Sequence, residues 1–153
     1  MGKKPKLGGK TPASPEPRIG ASPDHYKTMH PVWRFRSFDW DGPWGVAACL
    51  TKNWRAHIQE HLASFETMTR QAIEIAAGGK NRGTNSHPLI RDKFSKAARD
   101  RLSAIGIHGD SFFLLRLENT VRIYGIREMN SLRIIWFDPY HFESDDRACY
   151  AWR

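Results

Sequence analysis

A short stretch near the C-terminal end of the chain, residues 111–141, combines cations, phenols and an imidazole with strong strand-forming residues. Arginine binds a phosphate through two parallel hydrogen bonds and stabilises charge that develops on it. Histidine and tyrosine can carry protons to and from a reacting group. These are the groups that metal-independent cleavage of an RNA phosphodiester requires. The candidate catalytic residues are Arg116, Arg122, Tyr124, Tyr140 and His141.

Three antiparallel strands are predicted to position these side chains. Residues 112–118 and 121–127 alternate apolar and other side chains, which is typical of strands. A shared apolar face requires pairs across the first hairpin whose numbers sum to an even value. Arg116 is therefore expected opposite Tyr124, and Arg122 opposite Glu118.

The second hairpin is predicted to turn through two residues, Met129 and Asn130. This turn places Ile135 opposite Tyr124 and Phe137 opposite Arg122. Ile134 and Trp136 then fall on the core face. The two arginines and Tyr124 are expected together on the other face, beside Phe137 and next to the exit of the chain toward His141.

Two helices are predicted before this sheet. An apolar stripe at spacings of three and four indicates one long helix over residues 54–76, which Gly78-Gly79 would end. A second helix is expected from Pro88 or Leu89 to Gly106, after a basic loop. An earlier alternating segment, Trp33 to Arg36, favours an edge strand.

The ends of the chain and its charge limit the classes of function. The net charge of +8 favours anionic partners, although residues 1–30 carry +4 of it. Residues 1–28 are rich in Gly, Pro, Lys and Ser and are predicted to be disordered, followed by one domain over 29–153. No apolar run is long enough to span a membrane, and the two cysteines, Cys49 and Cys149, favour a reduced cytoplasmic setting.

The order strand, helix, helix and three antiparallel strands resembles the RelE/ParE superfamily of bacterial toxins. The segments that carry the resemblance are Leu115-Arg116-Leu117, Val121-Arg122-Ile123-Tyr124 and Ile134-Ile135-Trp136-Phe137, followed by His141. The resemblance implies an α+β fold in which two N-terminal helices pack on a small antiparallel sheet. It also implies metal-independent cleavage of mRNA, free or ribosome-bound, by a toxin that is held in check by a cognate antitoxin. No cofactor is implied.

The same resemblance suggests roles for individual residues. Arg122 is similar to the family's central phosphate-binding arginine, and His141 stands where a proton donor is expected. Tyr140 or Tyr150 matches the C-terminal aromatic position. Basic residues from the helical region are sought among Lys80, Arg82 and Lys93.

Other interpretations of these residues remain open. Arg116 and Arg122 would also suit cross-strand ion pairs with Glu118 or Glu128. The basic face would equally suit a module that binds nucleic acid or an acidic protein without cutting anything. The sequence His57-Ile58-Gln59-Glu60-His61 matches an inverted zinc-peptidase motif, but no third ligand is identifiable, so no metal site is predicted.

Overall fold

A computed structural model of the protein describes residues 25–51, 55–75, 86–118, 120–141 and 147–151. A 3-10 helix, His25–Thr28, precedes strand β1, Val32–Arg34. Of the segment predicted to be disordered, residues 1–24 lie outside the described part. The helices and strands that follow are, in chain order, α1 Val46–Thr51, a π-helical turn Arg55–Gln59, α2 Glu60–Phe65, α3 Arg70–Ile75, β2 His87–Ile90, a 3-10 helix Arg91–Lys93, α4 Lys96–Ala104, β3 Ser111–Glu118, β4 Val121–Glu128 and β5 Ser131–Asp138.

The five strands form one mixed sheet in the order β1-β5-β4-β3-β2. β1 pairs in parallel with β5, and the other neighbours are antiparallel. The predicted fold class, two N-terminal helices on a small antiparallel sheet, is therefore wrong. A strand precedes the helices, another strand lies between α3 and α4, and the sheet is mixed. The edge position of β1 and the three consecutive strands β3 to β5 agree with the prediction.

Helices and loops cover both faces of this sheet. One face packs against α1, the π-helical turn, α2 and α3 through residues such as Ile58 and Leu62. The other packs against α4 and the C-terminal segment 147–151. The run Phe112-Phe113-Leu114-Leu115 is buried throughout, as expected for a strand that is apolar on both sides. The face of β3 and β4 that carries the even-numbered residues was expected to form a site, but Phe112, Leu114 and Tyr124 on it pack into a second core.

The helices differ from the prediction at their ends. The predicted long helix is interrupted after Phe65, and a new helix begins at Arg70. Pro88 lies in β2, at the sheet edge where its missing N–H costs little, and not at a helix start. α4 begins instead after Ser95, whose Oγ accepts a hydrogen bond from the Ala98 amide at 3.2 Å.

Two irregularities set the register of the hairpins. The Met129-Asn130 turn is as predicted, but a bulge between Tyr124 and Gly125 pairs Tyr124 with Trp136 and Arg122 with Asp138. Trp136 therefore belongs to the second core and not to the predicted core face. A Cβ on Gly125 would approach the Arg133 carbonyl oxygen to 2.5 Å, so the residue allows the strands to come close at this bulge.

The first hairpin contains the second irregularity, between Arg116 and Glu118. Arg116 pairs with Arg122, and Leu114 pairs with Tyr124, so the predicted pairs Arg116–Tyr124 and Arg122–Glu118 are wrong. Past the irregularity, Glu118 pairs with Val121, whose side chain lies in the first core. The Glu118 carboxylate contacts His61 of α2, with 3.2 Å between Oε2 and Nε2.

Candidate functional site

Two arginines stand side by side at one end of the sheet. Arg116 of β3 and Arg122 of β4 are directly paired residues and share the face that carries the second core. Arg122 is buried, and its Nη1 donates to the carbonyl oxygens of Val121 at 3.0 Å and Glu118 at 3.3 Å. Arg116 is half-buried. Like charges at directly opposed positions are destabilising, so this pair costs the fold free energy.

His141 lies against the same end of the sheet. Its amide donates to the Thr120 carbonyl oxygen at 3.2 Å, which holds the chain after β5 against the β3–β4 hairpin. The His141 ring is 5% exposed and lies 5.6 Å from the ring of Tyr150, centroid to centroid. The C-terminal segment therefore covers one side of the imidazole.

Asp138, the last residue of β5, holds the chain around His141 and Tyr150 in place through hydrogen bonds. Its buried carboxylate accepts hydrogen bonds from the amides of Tyr140 at 2.8 Å and Cys149 at 2.9 Å. The Cys149 thiol donates to it as well, at 3.1 Å. One carboxylate thus positions both the turn that carries His141 and the segment that carries Tyr150. Burial raises the pKa of Asp138, whereas these hydrogen bonds and Arg122 lower it.

Positive charge dominates the electrostatics of the site. Burial lowers the pKa of His141 to about 3, and the nearby Arg122, His87 and Arg116 act in the same direction. Burial also lowers the pKa of Arg122 to about 10, helped by Arg116 and opposed by Tyr124 and Asp138. His141 is therefore neutral at pH 7. A neutral imidazole accepts a proton, whereas the sequence suggested a proton donor.

A second arginine cluster joins helix α3 to the sheet and is neutralised differently. Arg70 and Arg127 both bond the carboxylate of Glu74, and both lie over the ring of Phe113. Arg127 also stacks on Tyr26 of the first 3-10 helix. This cluster uses its charges to join the N-terminal part of the fold to the sheet. At the Arg116–Arg122 pair, Glu118 contacts His61 of α2, and the carboxylate beside Arg122 is that of Asp138, its partner on β5.

The remaining predicted residues have different surroundings. Tyr124 is on the expected face but lies in the core, 5.3 Å from the ring of Phe94, and burial raises its pKa well above the usual value. Tyr140 is half-buried and carries the guanidinium of Arg147 at 4.9 Å over its ring. Lys93 is exposed, and its carbonyl oxygen accepts a hydrogen bond from Ala151, so it flanks the covering segment. Lys80 and Arg82 lie outside the described residues.

The structure brings His87 and Ser86 to this end of the sheet, and neither was a candidate from the sequence. His87 begins β2 and pairs with Leu114, so it shares the face of Arg116. Ser86, just before it, accepts a hydrogen bond from the Arg116 amide at 3.0 Å. Tyr150 reaches the site because the segment 149–151 pairs with residues 93–95. His87 was assigned to a loop, and only recognition of β2 would have placed it here.

The zinc motif has a simpler explanation in the structure. His61 bonds Glu118, and Ile58 and Leu62 lie in the first core, so the helix is explained by packing. The side chain of His57 lies outside the described part. Among the described residues, no group of three or more potential ligands could hold a metal ion. Within the same residues, no helix has the length and apolar character to cross a membrane.

Comparisons with family models, with curated proteins and with solved structures found no match to this chain. The resemblance to the RelE/ParE superfamily therefore stays a prediction from the sequence. A functional proposal has to depend on the geometry of the Arg116, Arg122 and His141 cluster.

Proposed function

We propose that this protein is a toxin-type ribonuclease that cleaves mRNA, free or ribosome-bound, without a metal. The observation that carries the proposal is the direct pairing of Arg116 with Arg122, next to the imidazoles of His141 and His87. Like charges so paired repel each other, and a phosphate bound between the guanidiniums would attract both of them. Destabilising arrangements of this kind are typical of functional sites.

The site residues can be assigned roles in attack by a 2′-hydroxyl. A bound phosphate anion would offset the nearby cations and raise the pKa of His141 from about 3, so that the imidazole can take the proton from the 2′-hydroxyl as the 2′-oxygen forms its bond to phosphorus. The two arginines stabilise the negative charge of the pentacoordinate phosphorane. The bond from phosphorus to the 5′-oxygen then breaks, and Tyr140 or water supplies the proton to that oxygen. The products are a 2′,3′-cyclic phosphate and a free 5′-hydroxyl.

Burial decides how the substrate reaches these groups. Arg122 and His141 are nearly closed to solvent, whereas Arg116, His87, Tyr140 and Tyr150 are half-buried. The scissile phosphate would enter beside Arg116 and His87. Arg122 would then contact the phosphate from the buried side, where the low dielectric strengthens its interaction with the phosphorane.

A non-catalytic binding module is the second candidate. One observation favours it: the Arg122 guanidinium already donates to two backbone carbonyl oxygens, so part of its hydrogen-bonding capacity closes the hairpin. In that case the same basic end would hold a phosphate without transferring protons. RNA binding in the absence of any cleaved product would favour this alternative.

The proposal includes a partner and a compartment. A toxin of this type needs a cognate antitoxin that covers the basic end, for which an acidic or amphipathic helix has the suitable chemistry. We place the protein in the cytoplasm, where the two free cysteines, Cys49 and Cys149, would stay reduced.

Induced expression in bacteria tests the proposal. Wild-type protein should arrest growth, and His141→Gln and Arg116→Gln should each relieve the arrest while accumulating as folded protein. Lys96→Gln is a matched control, because Lys96 is exposed and pairs with its helix neighbour Asp100. It should remain toxic. If the wild type neither slows growth nor cleaves RNA, with or without ribosomes, the enzyme proposal fails.

A further inference from the structure

A second basic feature lies at the opposite end of the sheet. An open cleft of about 970 Å³ is formed where the chain leaves β1 and where β4 turns into β5. Three arginines line it, together with serine hydroxyls and one carboxylate. The lining residues used below are Arg34, Arg36, Ser37, Glu128, Ser131 and Arg133.

The arginines of this cleft are held in place by neighbouring hydroxyl groups. Arg34 and Arg133 are directly paired across the parallel strands β1 and β5. The Arg34 Nε donates to Ser131 Oγ at 3.2 Å, and the Arg133 Nη1 contacts Ser37 Oγ at 3.5 Å. Glu128 lies 3.4 Å from Arg133 and offsets one of the three charges. Arg36, on the turn after β1, adds an exposed third guanidinium.

We infer that this cleft binds the phosphodiester backbone of a single-stranded nucleic acid. Guanidiniums mounted on two different strands and a turn match a row of phosphates better than one compact anion. The serine hydroxyls between them can donate to further phosphate oxygens. The inference concerns binding alone and does not require that the Arg116 site cleaves RNA.

Binding of a 2′-O-methyl oligonucleotide to the full chain tests this inference. Such a probe has no free 2′-hydroxyl, so the readout is independent of cleavage. The double variant Arg34→Gln, Arg36→Gln should bind on the order of tenfold more weakly at about 0.1 M salt. Its dependence of log K on log salt should be shallower by about 1.4, because each single-strand phosphate contact contributes about 0.7.

The matched control removes two charges from α4, through Lys96→Gln and Arg99→Gln, and should keep both the affinity and the salt slope within about twofold of the wild type. Equal affinities for the cleft variant and the wild type would overturn the inference. Competition by an acidic peptide as strong as that by the oligonucleotide would also overturn it, in favour of a protein ligand. Displacement of the oligonucleotide by equimolar inorganic phosphate would overturn it too, in favour of a site for a single anion.

Discussion

The two ends of the sheet each carry an arginine pair, and the pairs differ in burial. At one end Arg122, directly opposed to Arg116, is 3% exposed, whereas at the other end Arg34 is exposed and directly opposed to the half-buried Arg133. Solvent screens the charges of the open pair, and serine hydroxyls and Glu128 contact them. The charge of buried Arg122 is screened much less, and burial together with Arg122 and Arg116 lowers the pKa of the neighbouring His141. One arrangement thus suits reversible binding of a strand, and the other suits chemistry on a single phosphate.

The largest expected difference between the two ends is in folding stability and activity. Arg122→Met should lower the free energy of unfolding by about 2 kcal/mol, because the loss of the donor to the Glu118 and Val121 carbonyl oxygens outweighs the relief of repulsion from Arg116. It should also abolish cleavage. Arg34→Met, at an exposed position, should change stability by less than about 0.5 kcal/mol. Urea denaturation of both variants measures this contrast, and equal losses would show that burial does not separate the two pairs.

We expect His141, at the buried end, to make folding stability vary with pH. The pKa of His141 in the folded state, about 3, lies below its ordinary value, so its contribution to stability is complete above pH 6.5 and declines as the pH falls toward 3. The raised pKa of Asp138 acts in the opposite sense, so the informative quantity is the difference between proteins. Wild type should lose on the order of 2 kcal/mol more than His141→Gln between pH 7 and pH 4. Parallel urea melts at the two pH values measure it, and identical pH slopes would contradict the assignment.

The bulge at Gly125 shifts the pairing of β4 with β5 by one residue, so the two ends of the sheet have different registers. Gly125→Ala would bring its Cβ against the Arg133 carbonyl oxygen and should cost about 1–3 kcal/mol. Arg122 and Asp138 lie on one side of the bulge, at the buried end, whereas the Met129-Asn130 turn and the open cleft lie on the other side. Cleavage should therefore fall by at least about tenfold, and oligonucleotide affinity should fall less, because the new Cβ meets the backbone of Arg133 and not its guanidinium. A variant that loses both equally would indicate that the two ends are not independent.

Sequence patterns predicted part of this fold well. The three final strands, the Met129-Asn130 turn and the edge position of β1 follow from alternation and turn chemistry. The pairing of Arg116 with Arg122 could not be predicted in this way. The irregularity between Arg116 and Glu118 shifts all pairs farther from the turn, and the apolar pattern does not reveal it. The second core was missed for a different reason. The four consecutive apolar residues 112–115 indicate burial on both sides, but they were interpreted as simple alternation.

Candidate site residues were predictable to the extent that their strands were. Arg116 and Arg122 share a face because any even-numbered register puts them there. Tyr124 shares it too, yet the aromatic ring of Phe94 and the thiol-bearing C-terminal segment enclose it, and contacts this distant in sequence cannot be read from a strand pattern. His87 was missed because β2 begins at a proline-containing segment that resembles a helix start.

Product analysis of a short RNA incubated with the purified full chain tests the central claim most directly. Wild type should release fragments that end in a 2′,3′-cyclic phosphate and begin with a 5′-hydroxyl, and a strand with a 2′-deoxy residue at the cleaved position should stay intact. His141→Gln should reduce the rate at least about a hundredfold while its circular dichroism spectrum and oligonucleotide affinity stay unchanged. Cleavage of the 2′-deoxy strand, or full activity of His141→Gln, would contradict the assignment of this site.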